Sequence, residues 1–259
     1  MTEPKLSVLL PVRNEGINLR IMLKLLRGMV DVSHEVLVVY DDPADDSVQV
    51  VNAMRREYAE IRPVLNTLGR GVVNAIRAGV AASTGQYVLI FAADEVGPVI
   101  AIDDMLQLME QGCDLVSCTR YAYGGRRLGG SMVGGVLSRL ANRLFHRLAG
   151  SGLTDATTGV KMFKRERFDE LHLSGRPIGW AVAFEISMKA ELAGWRLGEV
   201  PIISIDRLYG GSSTFRLGPW FGEYLRWFIW GARALRSSRR KRQVPLRPDE
   251  PSLRVGTPE

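Results

Sequence analysis

Three segments in the first hundred residues have the pattern of a buried β-strand that runs into a polar, mostly acidic end. The strands are Leu6–Val12, Glu35–Val39 and Gln86–Phe91. Ligands bind at the carboxyl ends of strands in an open α/β sheet, so three such ends favour a site over chance. Carboxylate oxygens there would suit a sugar or nucleotide accompanied by a hard metal ion.

Helical stretches separate these strands and predict the fold class. Apolar residues recur at helical spacing in residues 17–29, 47–58 and 71–82, and another helix is expected over 103–110. This alternation predicts a mostly parallel sheet with helices on both faces. A length of 259 residues with 46% apolar residues fits one large α/β domain.

The middle of the chain changes character. Tyr123–Gly135 is rich in glycine and predicts a mobile loop, followed by an amphipathic helix over 131–148. A helix is expected over Ala183–Ala193. Leu197–Ile205 is expected to be an edge or bulged strand, because it contains Pro201.

The C-terminal region combines aromatic and basic residues. Seven aromatic residues lie between Phe215 and Trp230, and seven basic residues with no acidic one lie between Arg233 and Arg247. Either the segment is an interfacial membrane helix with a basic run, or it is a helix that caps the domain and precedes a solvated tail. The membrane interpretation is favoured because the basic run follows the aromatic residues directly.

These patterns predict three regions: a domain over 1–215, an amphipathic membrane-proximal segment over 216–242 and a disordered tail over 243–259. Nucleic acid is not an expected partner, since no recognised module accompanies the basic residues. Cys113 and Cys118 are expected to be core thiols in a reducing compartment. No signal-peptide pattern and no long apolar run is visible, which predicts a cytoplasmic protein at the cytosolic face of a membrane.

Several short motifs follow one another in a fixed order. They are Pro11–Glu15, Val38–Ser47, Leu68–Gly79, Gly85–Asp94, Thr119–Tyr121, Asp155–Gly159, Glu199–Pro201 and Arg207–Ser212. This set resembles family 2 glycosyltransferases, and the order of its last four members resembles the dolichyl-phosphate mannosyltransferase-like branch. The resemblance implies a GT-A (Rossmann-like) fold. It also implies inverting transfer of a sugar from a nucleotide-diphosphate donor to a polyprenyl phosphate at the cytosolic membrane face.

The resemblance also implies a nucleotide site. Asp41 would accept a hydrogen bond from the base, since an ionised carboxylate is a strong acceptor; as a helix cap, Asp45 and Asp46 suit better. The implied nucleotide-binding residues are Pro11, Arg13, Asn14, Glu15, Asp41, Gly69, Arg70, Arg207 and Ser212.

Four residues would carry the chemistry by the same resemblance: Asp94, Arg120, Asp155 and Glu185. Asp94 would bind Mg²⁺ or Mn²⁺, which would neutralise charge on the leaving diphosphate. Arg120 would hold the acceptor phosphate. Asp155 and Glu185 would shape the acceptor side, although Asp155 could instead cap a turn with Thr157. A phosphate nucleophile is already anionic, so no catalytic histidine is required.

The sequence departs from the family pattern near the metal motif. Ala92 occupies the place of the first aspartate of Asp-x-Asp, and Tyr40 that of the first of two aspartates. Glu95 could supply a second carboxylate, but adjacent residues on an extended chain point opposite ways. The chain is therefore expected to belong to a divergent subgroup that differs in donor, acceptor or metal dependence.

Three other functions remain open at this point. The first is a glycosyltransferase with a non-lipid acceptor, its aromatic helix forming a dimer interface. The second is a nucleotide-sugar-binding protein without transferase activity. A GT-A-like nucleotidyltransferase is less favoured, because the first strand is not followed by a glycine-rich pyrophosphate loop.

Overall fold

The computed structural model describes residues 3–128, 132–205, 217–238 and 242–248. Its centre is a seven-stranded sheet with strand order β3-β2-β1-β4-β7-β5-β8. The strands are β1 Leu6–Val12, β2 His34–Tyr40, β3 Ile61–Leu65, β4 Tyr87–Ile90, β5 Leu115–Thr119, β6 Arg126–Leu128, β7 Lys161–Lys164, β8 Leu197–Pro201 and β9 Ile203–Ile205. In the main sheet only β7 runs antiparallel to its neighbours, so the expected mostly parallel sheet is confirmed.

Helices cover both faces of this sheet. They are α1 Gly16–Met29, α2 Asp46–Met54, α3 Val72–Ala82, α4 Ile102–Glu110, α5 Met132–Leu144, α6 Ala181–Ala193 and α7 Leu217–Ser237. Leu6, Val8 and Leu10 of β1 pack in a core with α1 and α4, whereas Leu9 packs in a second core with α3 and α6. This split follows from the alternation of side chains along a strand.

The strand order places the candidate site. From β1 the chain adds β2 and β3 on one side and then returns to add β4 on the other side. Such a reversal opens a crevice at the carboxyl ends of the strands. Since β5 is parallel to β4 through the antiparallel β7, Arg120 after β5 lies at the same sheet edge as Asp41 after β2.

The region around Pro201 differs from the prediction. The single strand expected over 197–205 is two strands. β8 forms an edge of the main sheet, and β9 pairs with β6, inside the segment predicted to be a loop. Pro201 has no N–H to donate, and the chain leaves the main sheet there. The sequence reading also missed β7, because its four residues carry a lysine at each end and lack an apolar period.

The aromatic helix α7 is divided between two environments. Trp227 is buried and packs with Phe145, Phe184 and Met188, so the inner face caps the domain. Leu225, Ile229 and Trp230 are exposed on the outer face. Within the described residues, no helix is both long and apolar enough to span a bilayer.

The first residues of the expected disordered tail are ordered against the sheet. Leu246 pairs with Gly198, and its N–H and carbonyl bond to Leu197 and Glu199. The open edge of β8 offers unpaired backbone groups, and this segment satisfies part of that edge. The prediction that disorder begins at residue 243 is therefore wrong for residues 243–248.

Candidate active site

The loop after β1 is held by the start of α2. Asp45 caps α2 by accepting from the N–H of Ser47 (2.8 Å), and it also accepts from the N–H of Asn14 (2.9 Å). Ser47 Oγ accepts from the N–H of Glu15, and Asp46 accepts from the N–H of Gly16. The predicted cap at Asp45 is confirmed, and these bonds order the loop that carries Arg13, Asn14 and Glu15.

Asp41 organises the glycine-basic-glycine turn. Its Oδ1 accepts from Asn66 Nδ2 (2.7 Å) and its Oδ2 from the N–H of Gly71 (3.1 Å). Asn66 also donates to the carbonyl of Gly69 (2.8 Å). The side chains of Asn66 and Asp41 therefore hold the turn on both sides of Arg70. Sequence reasoning missed Asn66; its signal is a polar residue directly after β3 at the same sheet edge.

Arg70 projects from this turn. It donates to Asp42 at 3.2 Å, and its side chain is 72% exposed. An exposed guanidinium held by one weak surface ion pair can exchange that partner for another anion at little cost. The structure therefore brings Asp41, Gly69 and Arg70 together, as the resemblance implies.

Glu185 holds a loop that abuts the same turn. It accepts from the N–H groups of Ser174 (2.5 Å) and Gly175 (2.9 Å), and it pairs with Lys189. Farther along this loop, the Cβ of Pro177 would lie 2.5 Å from any Cβ added at Gly71. The resemblance assigned Glu185 to the acceptor side, whereas the structure connects it to the turn of Asp41 and Arg70.

Arg120 and Asp155 form a buried fork. Arg120 Nε donates to Asp155 Oδ2 at 2.7 Å and Nη2 to Oδ1 at 3.0 Å, and Nη2 also reaches Thr157 Oγ1. Burial alone would raise the pKa of Asp155, but the charge and hydrogen bonds of Arg120 outweigh it and lower the pKa. Asp155 also accepts from the N–H and the hydroxyl of Thr157, so it caps this turn as well as holding Arg120.

Further charged groups lie beneath this fork. Lys161 and Glu199 are both fully buried, and Tyr224 of α7 interacts electrostatically with Arg120 and Asp155. Burial raises the pKa of Glu199 to about 7 and lowers that of Lys161 to about 8. Sequence reasoning assigned no role to Lys161 or Tyr224. A lysine flanked by Val160 and Met162 is the signal that was available for Lys161.

The predicted metal ligands lie in the turn after β4. Asp94 is half-buried. Glu95 has a buried Oε1, and its charge acts on Arg120 and Cys118. Glu95 therefore interacts electrostatically with Arg120, and Asp94 is the better candidate for a metal ligand. Across the described ranges, no group of three or more His, Cys, Asp or Glu side chains could hold a metal ion. These residues therefore do not by themselves form a complete metal site.

Two predicted nucleotide-binding residues, Arg207 and Ser212, lie outside the described residues. Pro11 lies near the end of β1, at the sheet edge that also carries Asp41. The roles assigned to the individual site residues stay predictions.

The sequence matches a known family and a curated relative. The model of the family described as "Glycosyl transferase family 2" matches residues 7–171. A dolichol-phosphate mannosyltransferase from Pyrococcus furiosus is 25% identical over 226 residues, which are 86% of this chain and 62% of that protein. The chain therefore spans less than two thirds of the length of this relative.

Solved structures of glucosyl-3-phosphoglycerate synthase are among those that share this fold. Glucosyl-3-phosphoglycerate synthase from Mycobacterium tuberculosis, in complex with Mn²⁺, UDP and glucosyl-3-phosphoglycerate, has a TM-score of 0.67 at 17% identity, over 88% of this chain and 80% of that chain. The complex with Mg²⁺ and UDP has a TM-score of 0.66 at 18% identity, over 88% and 79% of the two chains. These likenesses establish the GT-A fold.

Proposed function

We propose a function from one premise: this chain belongs to glycosyl transferase family 2. It is a glycosyltransferase that moves a sugar from a nucleotide-diphosphate donor to a polyprenyl phosphate at the cytosolic face of a membrane. The observation that carries the proposal is the buried Arg120–Asp155 fork at the sheet edge that also carries Asp41 and Arg70.

The donor side is supported by the turn that Asp41 organises. The nucleoside would lie against the ordered loop of Asn14 and Glu15, with Asp41 near the base. Arg70 would leave Asp42 to meet the diphosphate, because a guanidinium binds phosphate oxygens in a planar, bidentate way. Solved structures of the same fold include a complex with UDP, which supports a nucleotide donor.

The acceptor side is supported by the orientation of Arg120. Two hydrogen bonds that Arg120 donates to Asp155 fix the plane of the guanidinium, and the Arg120 side chain is 14% exposed. A phosphate monoester held there would attack the anomeric carbon with an anionic oxygen. The bond from that carbon to the diphosphate oxygen would break on the opposite face, which inverts the configuration. No protein base is needed, since the nucleophile carries no proton at neutral pH.

A membrane location is supported by the surface of α5 and α7. Leu140, Leu144 and Leu148 form an exposed apolar stripe along α5 and the turn after it, beside the exposed Arg143 and Arg147. The outer face of α7 likewise exposes Ile229 and Trp230. Apolar side chains flanked by arginines are typical of a surface that meets anionic lipid headgroups.

A divalent cation is proposed as a partner of Asp94. A single motif carboxylate leaves most ligands to the donor diphosphate, and the absence of a second aspartate at position 92 predicts weak binding without donor. When bound, Mg²⁺ or Mn²⁺ would stabilise the charge of the leaving diphosphate. Retention of full activity after exhaustive chelation would contradict this part of the proposal.

The test is detection of glycolipid by mass spectrometry. Purified protein would be incubated with UDP-, GDP- and CDP-sugars, Mg²⁺ or Mn²⁺, and either polyprenyl phosphate or 3-phosphoglycerate. We expect a glycosylated polyprenyl phosphate that is lost in Asp94→Ala. Glycosylated 3-phosphoglycerate alone would support the non-lipid alternative, which the synthase from M. tuberculosis motivates. Nucleotide binding without any product would support a non-catalytic binder.

A further inference from the structure

Lys161 is a fully buried lysine that the proposed function leaves unexplained. It lies at the start of β7, between β4 and β5. Its ammonium donates to Ser117 Oγ of β5 at 2.8 Å. Burying an ammonium against one neutral hydroxyl is costly unless opposite charges lie close by. The reason for this lysine should therefore be found in the charges around it.

Four ionisable groups face Lys161. They are Asp155, Cys118, Glu199 and Arg120. Cys118 is a neutral thiol, because burial raises its pKa well above its ordinary value. Arg120 and Lys161 are the two cations of this cluster, Asp155 is its ionised carboxylate, and burial raises the pKa of Glu199 to about 7.

Glu199 connects this cluster to the backbone of Asp155. Its Oε1 accepts from the N–H groups of Thr154 (2.8 Å) and Asp155 (3.2 Å). Its Oε2 is buried with no hydrogen-bond partner among the described residues. Glu199 therefore holds the backbone at Thr154 and Asp155, and the side chain of Asp155 in turn fixes the plane of the Arg120 guanidinium.

We propose that Lys161 is a positioning residue for the acceptor phosphate, acting through Asp155 on Arg120. This inference rests on the proposed function, in which Arg120 holds that phosphate. The charge of the ammonium is one of the causes that lower the pKa of Asp155, so Asp155 stays ionised and can accept both bonds of the guanidinium. Without it, the pKa of Asp155 rises, because Arg120 then opposes the effect of burial without the second cation. A protonated Asp155 accepts more weakly, and Arg120 loses its fixed orientation.

The test separates acceptor binding from donor binding. Lys161→Met removes the charge at nearly constant volume, and Lys164→Met on the same strand is the control, since Lys164 pairs instead with Asp114. We expect Lys161→Met to raise KM for polyprenyl phosphate by about tenfold or more, the effect of one charge-assisted hydrogen bond. KM for the nucleotide sugar should stay within about twofold of the wild-type value. The control should change neither.

The pH dependence of the acceptor KM distinguishes a positioning role of Lys161 from a merely structural one. The ammonium of Lys161 loses its proton above about pH 8, so the acceptor KM of the wild type should rise above that pH. Lys161→Arg keeps its charge, and its acceptor KM should stay level in the same range. A rise of equal size in both proteins would overturn the proposal.

A double variant guards against misfolding of Lys161→Met. Lys161→Met combined with Glu199→Gln removes the neighbouring carboxyl together with the ammonium, so less negative charge opposes the ionisation of Asp155, and acceptor KM should return to within about threefold of the wild type. If the wild type is active and Lys161→Met has the same acceptor KM, the role of Lys161 is overturned while the proposed function stands. A wild type that glycosylates no phosphate acceptor would overturn the proposed function and, with it, this inference.

Discussion

Asp41 and Asn66 show how single polar side chains prepare a binding site by holding backbone. Asp41 accepts from Asn66 and from the N–H of Gly71, and Asn66 bonds to the carbonyl of Gly69. These three bonds shape the turn that carries Arg70 before any ligand arrives. Pre-organisation of this kind lowers the entropy lost when a ligand is bound.

Asn66→Ala is therefore expected to weaken nucleotide binding more than it weakens the fold. It removes three hydrogen bonds of the turn, those to Asp41 and Gly69 and the one from the N–H of Leu68, and we expect Kd for UDP or GDP to rise about tenfold. Isothermal titration calorimetry would measure the Kd. Asn52→Ala, at an exposed position of α2, is the matched control and should leave it unchanged.

Glu199 makes a prediction about stability and pH. Burial raises its pKa from 4.5 to about 7, so the folded protein keeps a proton that the unfolded chain releases between those values. Stability from this group is thus fully present below pH 4.5 and is lost as pH rises toward 7, by up to about 3 kcal/mol. Urea unfolding at both pH values should show the wild type losing stability relative to Glu199→Gln. An unchanged difference between the two proteins would contradict the assignment.

At the scale of elements, α3 lies unusually close to the sheet. A Cβ at Gly79 would be 2.1 Å from Leu9 Cδ1 of β1 and 3.1 Å from Val39 Cγ2 of β2. The small residue lets the helix approach the two strands whose ends carry the candidate nucleotide-binding loops. The distance between α3 and the sheet therefore sets the position of the turn before α3.

Gly79→Ala should destabilise the protein by about 1–3 kcal/mol, the usual cost of overpacking a core. Gly28→Ala is the matched control, because a Cβ at that helical position meets nothing within 4 Å. Its effect should be neutral or stabilising, since alanine is the better helix former. Thermal unfolding of both variants would measure this. Equal stability of the two would contradict the close approach of α3.

The elements that sequence reasoning found are those with a long apolar period. The apolar runs of β1 and β2 and the amphipathic repeat of α1 are visible in the sequence, because both faces of these strands and one face of the helix are buried. β7 and the pairing of β6 with β9 were missed, since short strands held by non-local partners carry no period of their own. The sequence also could not show which face of α7 is buried and which is exposed, because both faces carry aromatic or aliphatic residues.

At the scale of the whole molecule, one surface combines apolar and basic residues. Leu140, Leu144 and Leu148 of the α5 region and the outer face of α7 are exposed. The basic run 239–242 continues from the end of α7. Tyr224, on the same helix, interacts electrostatically with Arg120 and Asp155. Helix α7 therefore connects this surface to the candidate acceptor site.

This surface predicts binding to anionic membranes. Replacing Leu140 and Leu144 by glutamine, or reversing the charges of residues 239–242, should release the protein from liposomes that contain phosphatidylglycerol, because each change removes apolar burial or headgroup attraction. Co-sedimentation would measure this. Met29→Gln, at the end of α1 remote from the sheet edge that carries the site, is the control. Unchanged binding in both test variants would refute the docking surface.

The order of the motifs along the chain was more informative about fold and family than any single residue. It indicated the GT-A fold, the family and the convergence of Asp41, Arg70 and Arg120 at one edge. The sequence could not indicate the buried partners, since Asn66 and Lys161 reach the site through side-chain contacts between distant segments. It also could not indicate that Glu185 holds the loop of Ser174 and Gly175, because these contacts depend on a fold that residue spacing does not reveal.

The most direct test of the account is the kinetic effect of Arg120→Lys. Lysine keeps the charge but cannot make the planar fork with Asp155 and a phosphate at once. KM for polyprenyl phosphate should rise about tenfold or more, while KM for the nucleotide sugar stays within about twofold. Arg126→Lys on the exposed strand β6 should change neither value. A rise in donor KM with an unchanged acceptor KM would contradict the account, because it would place the donor rather than the acceptor at Arg120.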